Sequence, residues 1–142
     1  MDHDIELLNE IYRNAELSKD ILGRLIRRCH DAALRAVLAS QYAEYHAILL
    51  EAGERIAGRG EAPDAFGMLF RRPIYCGIRL NARIDATSSH LAEMLVQGSA
   101  VGLIEIARAS NRFDEAEKAT RALAERLRTT EEANMRQLLH YV

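Results

Sequence analysis

The sequence has no tryptophan, two prolines, two cysteines and no apolar run beyond five residues. Runs that short exclude a membrane-spanning helix, which needs about 20 predominantly apolar residues. Two cysteines, Cys29 and Cys76, make neither a disulfide scaffold nor a Cys-x-x-Cys or Cys/His zinc pattern, so both are expected to be free, buried thiols. Two prolines and eight glycines exclude a collagen-like or low-complexity chain. Charge of one sign is also missing: 19 basic against 21 acidic residues give a net charge of −2, which argues against a general nucleic-acid binder. The segment MDHDIELLNE has no apolar signal core, and a cytoplasmic location is the expectation. Alternating strand patterns with Asn-Gly turns are absent too.

What is present is 49% hydrophobic residues, enough to fill a core, within 142 residues, the size of one domain spanning 1–142. The chain is rich in Ala, Leu, Glu and Arg, all strong helix formers. Residues 4–29 carry Ile5, Leu8, Ile11, Ala15, Leu22 and Leu25 at spacings of three and four, which predicts one amphipathic helix. His30-Asp31 forms a turn with Asp31 as the next cap. A second helix is predicted over 32–57, with Leu34, Val37, Leu38, Gln41, Tyr45, Ile48, Ala52 and Ile56 on its inner face and Gly58 at its end.

Both prolines, Pro63 and Pro73, lie in the single strong break of the pattern, so residues 59–72 read as a connector. A third helix is expected from Pro73 to about residue 110, with Ile84, Thr87, Leu91, Met94, Leu95, Gly98, Val101, Gly102 and Glu105 on one face. After a turn at 111–113, Asp114 caps a fourth helix that turns Leu123, Leu127, Thr130, Glu131, Asn134 and Leu138 inward. The predicted fold is therefore all-α, a four-helix bundle. Fourteen extended residues reach up to about 46 Å, enough for a long connection between helices 2 and 3 that leaves them parallel. That wiring is preferred here over up-down-up-down.

Two tight hairpins joined by a long central connection, with Thr87-Ser88-Ser89-His90-Leu91-Ala92-Glu93-Met94 continuing into Gln97-Gly98-Ser99, resemble the ferritin-like superfamily, in particular small bacterial members with an incomplete di-iron motif. The resemblance implies a carboxylate/histidine site at mid-bundle. A full di-iron site takes two Glu-x-x-His pairs, and this sequence contains none. The reversed pair His90-x-x-Glu93 remains, with Glu131 level with it on the fourth helix and Glu16 and Glu44 level with each other on the first two. Iron or manganese are the metals such a set would hold. Gln41, Thr87, Glu105 and Asn134 interrupt apolar faces and outline an alternative, a buried polar pocket, with Lys19 expected to reach into the same network. Gly98-x-x-x-Gly102 predicts close approach of a neighbouring helix.

No phosphate loop, nucleophile elbow or Ser/His/Asp order is present, and no catalytic residue is assigned. The expected function is a binding or scaffold module, homo-oligomeric and without a complete di-iron site. Its alternatives are a metal-binding redox or storage protein and a small-molecule-binding bundle.

Overall fold

In the computed structural model, residues 2–63 and 87–142 are described. They form four helices: α1, His3–Ile26; α2, Ala32–Gly58; α3, Ser88–Arg112; and α4, Lys118–Leu139. Among the described residues there is no strand, and no helix is long and apolar enough to cross a membrane.

Local chemistry fixes most of the helix ends. The Asp2 carboxylate accepts from the Asp4 and Ile5 amides at the start of α1, and Asp31 accepts from Leu34 N–H at the start of α2. Gly60, at φ 75°, takes the left-handed conformation that ends α2, its N–H bonded to the Ala57 carbonyl and the Glu61 N–H to that of Ile56. The left-handed stop is thus two residues beyond Gly58, which is itself the last helical residue.

The third helix departs most from the sequence expectation. Thr87 is extended, at φ −63° and ψ 151°, and its hydroxyl caps α3 by accepting from His90 N–H. Helix α3 therefore begins at Ser88 rather than running through from Pro73. The expected start at Pro73, together with Cys76, Ile84 and most of the 59–72 connector, lies outside the described residues. Helix α4 likewise starts later than Asp114, with Glu117 at its N-cap position.

All four helices contribute to one core. Helix α1 packs along α2, α4 packs along α3, and α1 also touches both members of the second pair. Leu7, Leu8, Ile11, Leu34, Leu38, Ile48, Ile56, Leu91, Ile106 and Leu127 are fully buried there. Cys29, also buried, sets its thiol 3.4 Å from the Asp31 carbonyl.

Contacts at the two ends give the helix directions. At one end Arg59, just past α2, reaches Asp4 Oδ2 at 2.7 Å and Glu117 Oε1 at 3.3 Å, while Glu117 N–H donates to Asp4 Oδ1 at 3.2 Å. At the other end Ser88 Oγ, the first residue of α3, lies 3.4 Å from Asp31 Oδ2, the cap of α2. The starts of α2 and α3 thus share an end, and the two helices run in the same direction.

Candidate functional site

Every helix sends a polar side chain to one point near the middle of the bundle. Glu131 of α4 has no exposed surface, yet no cation meets it among the described residues. Instead Tyr45 of α2 donates its phenol proton to Oε2 at 2.9 Å, and Ser18 of α1 donates to Oε1 at 3.2 Å. Ser99 of α3 adds a third hydroxyl. Burial pushes the Glu131 carboxyl up to about 7, against the opposing pull of those three hydroxyls. Burial and the neighbouring Glu131 charge push the Tyr45 phenol well above its ordinary range.

Gly102 of α3 makes this arrangement possible. A methyl group there would sit 2.9 Å from Glu131 Oε1, closer than a real side-chain carbon approaches, and a tight 3.2 Å from Asn14 Oδ1. The Gly102 carbonyl in turn accepts from Asn14 Nδ2 at 3.0 Å. The close approach expected of Gly98-x-x-x-Gly102 is real at Gly102, where the neighbour is a carboxylate and an amide. At Gly98 nothing lies within 4 Å of a Cβ position. A second polar group continues the network along α2, where Gln41 Nε2 donates to the Asn134 carbonyl at 3.4 Å and to Gln137 Oε1 at 3.1 Å.

These groups form one end of a cavity of about 510 Å3 between the second half of α1 and the first half of α3. Its polar end is made by Asn14, Ser18, Gln41, Tyr45, Ser99 and Gly102. Leu17, Ile21, Leu22, Leu25, Met94, Leu95 and Leu138 line the remainder, and exposed Gln97, Gly98, Val101 and Glu105 edge its mouth. The size is ordinary for a small-molecule site, as is the pairing of apolar walls with a few convergent polar groups.

The residues expected as metal ligands are spread out. Glu131 is at the centre, Glu16 is half-buried on α1, and Glu44 and Glu93 are exposed. His90 is the third residue of α3, nine residues before Ser99 and therefore about 13 Å along the helix from the level of Glu131. With α3 starting at Ser88, His90 and Glu93 stand near its end instead of its middle. Among the described residues, no group of three or more His, Cys, Asp or Glu side chains could hold a metal ion.

Of the expected polar pocket, Gln41 and Asn134 are buried and bonded together. Glu105 is exposed at the cavity rim, contrary to its expected place on the inner face, and Thr87 is exposed at the α3 cap. Lys19 stays outside the network, its ammonium 5.7 Å over the Tyr42 ring. Tyr45, Ser18, Ser99 and Asn14 were not singled out as polar partners from the sequence. Their signal was available: Ser99 and Gly102 fall on the 91-95-99-102-106-109 row, the true inner face of α3.

Comparison of the chain with protein-family models, curated proteins and solved structures gives no match.

Proposed function

We propose that the protein is a small-molecule-binding four-helix bundle whose ligand occupies the cavity between α1 and α3, with the Glu131 cluster at its head. The cavity carries this reading, because apolar walls and a polar end at mid-bundle are what a bound small molecule requires. A bundle that used its inner polar residues only to fix helix register would pack the surrounding volume, since interiors are as dense as organic crystals. The parallel course of α2 and α3 supports the further part of the reading, a ferritin-like wiring with a long connection between helices 2 and 3.

The test is binding of a hydrophobic reporter dye such as N-phenyl-1-naphthylamine, read as enhanced fluorescence, before and after the cavity is filled. Gly98 lines the cavity and has open space at its Cβ position, so Gly98→Trp places an indole at the mouth without a backbone clash. Wild-type protein is expected to bind the dye saturably and the variant to lose at least about tenfold in affinity while keeping its helical spectrum. Equal binding by the two proteins would contradict the reading.

A further inference from the structure

The polar end of the cavity has an unusual hydrogen-bonding sense. Tyr45 and Ser18 each own a single hydroxyl proton, and both protons are directed at Glu131. The Ser18 oxygen has lone pairs left to offer the cavity, while that of Tyr45 already meets Asn134 and Ser99. Both Nε2 protons of Gln41 are engaged by Asn134 and Gln137, leaving its Oε1. Asn14 places an amide N–H on the Gly102 carbonyl and turns its Oδ1 toward the space beside Gly102, where Glu131 Oε1 also converges. Three side chains, Asn14 and Ser18 of α1 and Gln41 of α2, thus present oxygen acceptors at one end of an apolar cavity, with a buried carboxylate directly behind them. Among the described residues no cation neutralises that carboxylate, although a buried charge is strongly unfavourable without a partner.

Resting on the small-molecule reading above, we propose that the ligand is a hydrophobic amine. Its ammonium would donate to the oxygens of Ser18, Asn14 and Gln41 and supply the positive charge that Glu131 lacks. Its apolar body would lie along Leu22, Leu25 and Leu95. An ammonium has three donors and no acceptor, matching a wall that offers acceptors. From Asn14 to Leu25 the cavity follows α1 for about 16 Å, room for a chain of around ten carbons. A fatty acid of the same length would bring a second negative charge to the same end, and an alcohol would offer one donor and no charge. A metal ion fits less well, because Glu131 is the one carboxylate at the polar end, Glu105 standing at the mouth, and divalent cations prefer several charged oxygens.

The experiment compares decylamine, decan-1-ol and decanoate by calorimetric titration of the full-length protein at pH 7.5, with wild type and Glu131→Gln. The amine is expected to bind at least about tenfold more tightly than the alcohol, and decanoate the weakest of the three. Glu131→Gln keeps the shape and removes the charge, so it is expected to weaken the amine by about tenfold and leave the alcohol within about threefold. Alcohol or decanoate binding as tightly as the amine to wild type would overturn the amine assignment while leaving the cavity reading intact. So would an amine preference that survives Glu131→Gln. Binding of none of the three would overturn the cavity reading and this inference together. The wild-type comparison decides the matter even if the variant does not fold.

Discussion

Glu131 is the residue on which most else depends. Its carboxyl, pushed up to about 7 by burial, holds a proton in the folded state over a range in which the unfolded chain, titrating near 4.5, has already lost it. The folded state therefore binds more protons than the unfolded state between those values, and stability falls as pH rises through that window. The contribution is complete below pH 4.5 and lost as pH passes 7. The size is of order 2–3 kcal/mol for a fully buried group. Denaturant unfolding of wild type and Glu131→Gln at pH 4.5 and 8 checks it, with the difference between the proteins shifting in favour of Gln at the higher pH. Taking the difference cancels Asp31, whose amide-capping carboxylate is held low and acts in the opposite sense. A pH-independent difference would mean that Glu131 titrates alike in both states. Gly102 supplies a second test. Gly102→Ala is expected to destabilise by about 1–3 kcal/mol because Glu131 Oε1 stands where the methyl would go. In a Glu131→Ala background the same change is expected to cost less than half as much, since only Asn14 Oδ1, at 3.2 Å, still crowds the methyl and alanine is the better helix former. Additive effects would show that the two residues do not share that space.

Among the elements, α1 and α2 were legible and α3 was only half so. The inner face of α2, from Leu34 through Gln41 and Tyr45 to Ile56, follows the expected row except that Leu49 is buried and Val37 only half so, because each position is large and apolar or sits squarely between two that are. In α3 the expected face was right at Leu91, Leu95 and Gly102, but it counted in Thr87, an exposed cap, and drifted to Val101 and Glu105, while the chain buries Ile106 and Ala109. The row through 99 and 102 holds a serine, which a hydrophobicity pattern passes over, beside the expected Gly102, and Val101 drew the reading outward, to the side where Ile104 also stands. Both stand more than half exposed, at 57% and 56%. The small residues are there because Glu131 and the cavity need the room. Ile104→Lys is accordingly expected to change stability by no more than about 0.5 kcal/mol, whereas Ile106→Ala is expected to cost about 2–4 kcal/mol. Thermal or urea unfolding distinguishes the two, and equal effects would contradict the face described for α3. The height of His90 failed for a related reason. It was counted outward from a turn at 111–113, and with α4 starting only at Lys118 the residue level with Glu131 is Ser99, while the cap at Thr87 leaves His90 at the end of α3.

At the scale of the whole molecule, two polar clusters hold the helices in register. Arg59 joins the ends of α1, α2 and α4 through Asp2, Asp4 and Glu117, with Asp4 itself buried. Arg59→Ala would leave the Asp4 carboxylate buried without its cation and is expected to cost about 1–3 kcal/mol in urea unfolding, moderated by the partial exposure of Arg59. None of this cluster was evident beforehand, since Asp2 and Asp4 lie at the start of the first predicted helix and Arg59 falls in the predicted connector, far apart in sequence. The second cluster, around Glu131, was visible as polar residues interrupting apolar rows. Its partners were not, because a Tyr or Ser on an inner face reads as packing until a carboxylate is found opposite. That cluster ties α4 to each of the other three helices and forms the head of the cavity. Its most direct measurement is the side-chain 13C resonance of Glu131, followed by NMR through pH titration and assigned by its loss in Glu131→Gln. A midpoint near 7 is expected for a carboxyl buried among hydroxyls without a cation. A midpoint near the ordinary 4.5 would place Glu131 in water or beside a positive charge, and the cavity would lose its polar head.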